Sequence, residues 1–226
     1  IQASTLLQSV GIKTTAKFLA NLRRHSAGLE LDKYAHSTPY IVNDVARRWV
    51  RDFTKQTEPF FFYLHYNEPH TPYYPPLPYL DEFSDDFETE PGNAAKRVLE
   101  ICENKDRHIA TGFSDLTDED WNILYAMYDA EIKYTDEMIG DLIRDIKQKS
   151  NRDTIFVVTA DHGELFGEYG IFGHSVVLHD GLIHVPLVTS GLDVQKDLVQ
   201  HADILQTIGE IAGINTESIQ GIDLRQ

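Results

Sequence analysis

Apolar residues fall four apart at Ile41, Val45, Trp49 and Phe53, behind the start signals Ser37-Thr38-Pro39. This spacing predicts an amphipathic helix over residues 40–53. After a polar turn comes Phe60-Phe61-Phe62-Tyr63-Leu64-His65-Tyr66, seven residues of nearly unbroken aromatic and apolar character. Such a run predicts a strand buried on both faces. Five prolines between residues 67 and 78 remove backbone donors and rule out regular structure, so the strand hands over to a loop at its C-terminal end. Residues 80–115 are acidic and weakly periodic, with a turn at Pro91-Gly92-Asn93, and predict a surface excursion holding a short helix over 94–102.

The clearest periodicity starts at Thr117-Asp118-Glu119-Asp120, where Thr117 is placed as an N-cap and acids fill the first turn. Trp121, Leu124, Tyr128, Ile132, Thr135, Ile139, Leu142 and Ile146 follow at steps of three and four, and Lys147 and Lys149 sit where a helix end favours cations. The turn Asn151-Arg152-Asp153 then leads straight into Thr154-Ile155-Phe156-Val157-Val158-Thr159-Ala160, a second buried strand. A long helix feeding a strand is the repeating unit of a parallel sheet. The expected fold class is therefore α/β, a mostly parallel central sheet sandwiched by helices. Residues 182–188 form a third apolar run, which Pro186 confines to a sheet edge or to the opening of a strand. A last helix is expected over 198–212, closed by Gly213 at the C′ position. No repeat, low-complexity tract or linker divides the sequence, so residues 1–226 read as a single domain.

Composition narrows the function without naming it. At 42% hydrophobic and 25% charged, the 226 residues have the makeup of a globular domain. Twenty basic against 36 acidic residues give a formal charge of -16, which repels nucleic acid and anionic membrane surfaces. No apolar run is long enough for a membrane span. The single Cys102 excludes an internal disulfide, and its flanks carry no motif for a thiol nucleophile or a metal knuckle.

In doubly wound sheets ligands bind just beyond the carboxyl ends of the strands, so the polar residues after the two strands are read first. Asp161-His162-Gly163-Glu164 follows one strand, and Asn67-Glu68-Pro69-His70-Thr71-Pro72-Tyr73 follows the other. Adjacent Asp161 and His162 can offer an oxygen and an imidazole to one divalent ion, with Gly163 letting the backbone bend away; the same residues also suit a helix N-cap. Gly163, Gly167, Gly170 and Gly173 punctuate a polar loop containing Glu164, Glu168 and His174, too polar and flexible for a packing segment. His70 is held among prolines in an extended loop, where it is either functional or a solvated loop histidine. His25, His36, His65, His108, His179, His184 and His201 read as surface or packed residues.

Taken together, Thr159-Ala160-Asp161-His162-Gly163-Glu164, Gly167-Glu168-Tyr169-Gly170, Phe172-Gly173-His174 and Leu182-Ile183-His184-Val185-Pro186-Leu187 resemble the C-terminal signature of sulfatases, members of the alkaline phosphatase superfamily. Tyr66-Asn67-Glu68-Pro69-His70-Thr71-Pro72-Tyr73 is similar to that family's His-x-Pro-Tyr loop, and the likeness extends over residues 40–224. The resemblance implies an alkaline phosphatase-like fold whose N-terminal strands lie upstream of residue 1. It implies Asp161 and His162 as metal ligands, His70 as a holder of the sulfate group, and His174 as the contact to the ester or the proton donor to its leaving oxygen. Calcium is the implied ion; manganese or zinc stays open because His162 stands where many sulfatases carry Asn and is a softer ligand than calcium prefers. Many sulfatases carry Lys where this chain has His174, and Gly181 stands where an acidic residue is common.

The family also implies two metal-binding aspartates and a formylglycine made from Cys or Ser in a Cys/Ser-x-Pro-x-Arg motif. Neither that motif nor an Asp-Asp pair behind an apolar strand occurs in these 226 residues, since Asp85-Asp86 lies in the acidic excursion. The expected function is an arylsulfatase-like sulfuric ester hydrolase acting on a small-molecule or saccharide sulfate ester, inactive as these residues alone. Two alternatives stand beside it: a phosphoester hydrolase or phosphoglycerol-type transferase of the same superfamily, and a non-catalytic domain that binds a metal or a partner. Apolar sheet surface left beside residues 60–66 or 154–160 predicts a homo-oligomer, or a fold rearranged at that edge.

Overall fold

A computed structural model describes residues 39–53, 55–104, 108, 112, 115–174 and 177–226. The chain divides into two compact units. The first comprises Ile1–Asn151 with Glu164–Leu178, and the second Arg152–Gly163 with His179–Gln226. His25 and His36 lie outside the described residues.

The first unit is organised by one long helix. Helix α1 spans Pro39–Phe53, α2 is the single turn Leu77–Leu80, α3 spans Pro91–Glu103, and α4 runs from Asp118 to Lys149 over 32 residues. Helix α4 opens with a reciprocal capping box, the Thr117 hydroxyl accepting the Asp120 N–H and the Asp120 carboxylate accepting the Thr117 N–H. Its apolar face carries Ile123, Leu124, Met127 and Ala130 into a core shared with Tyr73, Leu80, Phe166 and Phe172. From the acidic stretch expected to be a surface excursion, α3 adds Ala94, Ala95, Val98 and Ile101 to this core. Arg97 on α3 fastens the two helices, reaching both oxygens of Asp120 at 2.6 and 3.0 Å.

Helix α1 packs along the C-terminal half of α4. Buried Asn43 donates to the Met138 carbonyl at 2.6 Å and accepts the Tyr66 hydroxyl at 2.6 Å. Burial pushes the Tyr66 hydroxyl up to about 12, with Arg47 pulling the other way, so it remains a donor at working pH. The segment 60–66 differs from the expected doubly buried strand. No ladder forms along it among the described residues, and Phe61 and Tyr63 are 70% and 72% exposed. Exposed and half-buried positions alternate along it at the period of an extended chain, which buries a second face only where a neighbouring element covers it.

A short hairpin completes the unit. Strand β2 (Leu165–Phe166) pairs antiparallel with β3 (Phe172–Gly173), matching Leu165 to Gly173 and Phe166 to Phe172. Its turn needs left-handed backbone at Gly167 (φ 103°), Tyr169 (φ 54°) and Gly170 (φ 71°). The Glu168 carboxylate ties the turn back to the Phe166 N–H at 2.6 Å, and Tyr125 of α4 donates to the Phe166 carbonyl at 3.1 Å.

In the second unit, β1 (Phe156–Thr159) pairs with β4 (Leu187–Ser190), with Phe156 opposite Ser190 and Thr159 opposite Leu187. This ladder is antiparallel, as are both ladders among the described residues, whereas a mostly parallel sheet was expected. The one-turn helix α5 (Asp180–Ile183) precedes β4 in this unit. Pro186 falls just before β4, where its missing donor costs no ladder bond. Helix α6 spans His201–Ala212 and ends at Gly213 in the left-handed region (φ 68°), as expected. It starts three residues later than the periodicity suggests, because Gln200 and Asp203 form its capping box. Buried Asp203 also accepts the Ile222 N–H, and Thr207 accepts the Leu224 N–H, pinning the C-terminal segment to α6.

Candidate functional site

The hairpin register decides which side chains meet in the first unit. With Leu165 opposite Gly173, the next cross-strand positions outward are Glu164 and His174. Their side chains are joined, His174 Nδ1 lying 3.0 Å from Glu164 Oε1. The carboxylate is 4% exposed, and its other oxygen accepts the hydroxyl of fully buried Tyr73 at 3.1 Å. Burial first, and the Glu164 charge second, push the Tyr73 hydroxyl far above its ordinary range. Tyr73 is therefore a permanent donor to Glu164.

His70 belongs to the same place. Its ring centroid lies 4.9 Å from that of His174, with the planes inclined at 60°. His70 Nδ1 is 2.6 Å from the Thr71 carbonyl, an acceptor only, so this nitrogen donates and the lone pair of the neutral ring sits on Nε2. The proline-rich loop thus presents one imidazole and the hairpin the other. Two of the four expected site residues are brought together here.

The loop bearing His70 is anchored to α4 by an acid. Glu131 is buried and accepts the Tyr74 N–H at 2.5 Å. Burial raises its carboxyl above the usual range, the Tyr74 N–H working in the opposite direction. Glu68, two residues before His70, is raised by burial and then by the charge of Glu131. The two acids are neighbours in a dry environment, and Glu68 Oε2 and Glu131 Oε2 meet no donor.

Asp161 and His162 lie in the second unit, on the turn after β1. The Asp161 carboxylate accepts its neighbour's N–H at 3.0 Å, and its Oδ1 is 3.7 Å from His162 Nε2. His162 Nδ1 is 2.8 Å from the Gly163 carbonyl, which makes Nδ1 the donor and leaves the lone pair on Nε2. A carboxylate oxygen and an imidazole Nε2 at this separation, the ring held through Nδ1 by a backbone carbonyl, is a donor pair that fits one divalent cation. Among the described residues no group of three or more His, Cys, Asp or Glu is gathered for an ion. His201 Nε2 contacts the Ala160 carbonyl at 2.8 Å, buttressing the start of this turn.

The backbone at Gly181 explains why Gly163 is a glycine. A Cβ at Gly163 would lie 2.1 Å from the Gly181 carbonyl oxygen, and the Gly163 N–H donates to Leu182 at 2.8 Å. The Gly181 N–H in turn caps onto His179 Nδ1 at 2.9 Å, so the backbone of α5 is laid directly against the Asp161-His162 turn.

A family model described as Sulfatase matches residues 16–214. The chain belongs to the sulfatase family. Its relatives include the "Uncharacterized sulfatase YidJ" of Escherichia coli (strain K12), 28% identical over 176 residues, covering 74% of this chain and 35% of that protein. "Arylsulfatase K" of Gallus gallus is 30% identical over 200 residues, covering 78% of this chain and 37% of the relative. "Choline-sulfatase" of Rhizobium meliloti (strain 1021) is 24% identical over 204 residues, covering 83% and 38%. The chain spans somewhat over a third of the length of these curated relatives. Within this sulfatase-family chain, sequence reasoning missed Glu164 as the partner of His174 and Tyr73 as the partner of Glu164. The signal was present: Leu165-Phe166 and Phe172-Gly173 flank a five-residue Gly-containing turn, the pattern of a hairpin rather than a loop.

Proposed function

We propose that this chain supplies the anion-holding and leaving-group side of a metal-dependent, arylsulfatase-like sulfuric ester hydrolase acting on a small-molecule or saccharide sulfate ester. The observation that carries this reading is the pairing of His70 with His174, 4.9 Å between ring centroids, in a sulfatase-family chain. When a sulfate ester is cleaved, a nucleophile attacks sulfur and the bond to the leaving oxygen breaks, so negative charge grows on the leaving oxygen and must be neutralised around the sulfuryl group. His70 has Nδ1 committed to Thr71, so it would meet a sulfuryl oxygen through Nε2, as a donor in the doubly protonated ring. His174 has Nδ1 committed to Glu164, so a proton on Nε2 is the one passed to the leaving oxygen.

Asp161 and His162 would hold the divalent cation, Ca2+ by family resemblance, with Mn2+ or Zn2+ suited to the imidazole donor. By the same resemblance, such an ion would supply Lewis-acid neutralisation at a sulfate ester. The nucleophile, a formylglycine by the same resemblance, has no source motif in these residues. Residues 1–226 alone are therefore expected not to turn over, while the product of the whole gene hydrolyses an aryl sulfate and loses that activity to a chelator. Metal-dependent turnover by the 226 residues alone contradicts this division of roles.

The imidazole beside Asp161, where many sulfatases carry Asn, favours a second reading as a phosphoester hydrolase or phosphoglycerol-type transferase. Comparing aryl sulfate with aryl phosphate on the whole gene product decides between them, and inertness toward both leaves a non-catalytic binding domain.

A further inference from the structure

His174 is held by a buried relay that stands independently of any bound group. Tyr73 is fully buried and remains protonated, so one oxygen of Glu164 is permanently occupied by its hydroxyl at 3.1 Å. The carboxylate cannot rotate without breaking that bond inside the core. Its remaining oxygen faces His174 Nδ1 at 3.0 Å, across the cross-strand position fixed by the Leu165–Gly173 and Phe166–Phe172 pairs. A carboxylate accepts only, so the nitrogen facing it carries hydrogen. We infer that Glu164, locked by Tyr73, is a positioning residue that sets His174 in the Nδ1–H tautomer and fixes its ring toward His70.

The chemical consequence rests on the reading of His174 as the leaving-group residue. In the doubly protonated ring the Nε2–H bond breaks as the O–H bond of the departing alcohol forms. The electron pair stays on Nε2, and the product is the neutral Nδ1–H tautomer. That is the tautomer Glu164 holds, so proton donation ends in the state the protein already stabilises, with no movement of Nδ1 or of the carboxylate. An unlocked ring would divide between two tautomers and could turn Nδ1 to the ester instead.

The test separates the two claims. In the protein labelled with 15N-histidine, at a pH where His174 is neutral, Nδ1 is expected to give the pyrrole-type resonance and Nε2 the pyridine-type. Glu164→Gln, which can offer an N–H to Nδ1, is expected to shift His174 toward the Nε2–H tautomer. Tyr73→Phe is expected to broaden or mix the pair while leaving Glu164 present. A pyridine-type Nδ1 in the native protein, or an unchanged tautomer in the folded Glu164→Gln variant, overturns the inference. Should Glu164→Gln not fold, the native spectrum and Tyr73→Phe still decide it.

Turnover then reads the second claim. Glu164→Gln is expected to lower kcat by about 10- to 100-fold with KM little changed, the usual scale for a group that orients a first-line ligand or acid. Native-like kcat together with the altered tautomer leaves Glu164 as the residue that orients His174 and contradicts the leaving-group role instead.

Discussion

At the scale of single residues, the candidate site is built from side chains whose neighbours are distant in sequence. Glu131 is the plainest case, a helix residue that would pass for a solvated charge yet is buried against Tyr74 and beside Glu68. Both carboxyls are raised in the folded protein, so the folded state binds more protons than the unfolded one above the ordinary carboxylate range. Their contribution to stability is complete below about pH 4 and is lost as pH rises through neutrality. Glu131→Gln keeps an acceptor for the Tyr74 N–H and removes the titration, so its Tm is expected to exceed the native value at pH 8 and match it at pH 4. Parallel Tm curves for the two proteins would contradict this. Gly163 was read as a glycine that lets the backbone bend away, and in the structure what excludes a side chain there is the Gly181 carbonyl. Gly163→Ala should cost about 1–3 kcal/mol by overpacking that contact, measured by denaturant unfolding. It should also displace the turn carrying Asp161 and His162.

Elements were legible where periodicity is local. Helices α1, α4 and α6 follow from spacing and caps, because a helix satisfies its hydrogen bonds within itself. Thr117→Ala removes one arm of the α4 capping box and is expected to lower stability by about 1 kcal/mol in denaturant titration. The strands were harder to read, since a strand's status depends on what lies beside it. Residues 60–66 have the composition of a buried strand, yet Phe61 and Tyr63 point to solvent, and the segment is held to α1 through Tyr66 and Asn43. Asn43→Ala takes the acceptor from the Tyr66 hydroxyl and the tie to the α4 backbone at Met138, and should cost about 1–3 kcal/mol in denaturant unfolding. The hairpin β2–β3 was hidden by its glycines, which were read as flexibility. In the structure two of them supply left-handed backbone to a turn that fixes Glu164 opposite His174.

For the whole molecule, family membership was legible because several short motifs occur in one order, although none identifies a sulfatase alone. No helix among the described residues is long and apolar enough to cross a membrane. The exposed aromatic side chains Trp49, Phe61 and Tyr63 of the first unit favour self-association of the 226 residues. Light scattering is expected to show species larger than the monomer, and a monodisperse monomer counts against it. The formal charge of -16 sets a salt dependence, with association growing as salt screens repulsion. His174 is proposed as the leaving-group acid of a sulfuric ester hydrolase. The most direct test measures kcat/KM of the whole gene product and its His174→Ala variant across aryl sulfates whose leaving phenols range from acidic to weakly acidic. A small loss is expected for the most acidic phenol and a progressively larger one as the leaving group worsens. An equal loss across the series, or none, would contradict it.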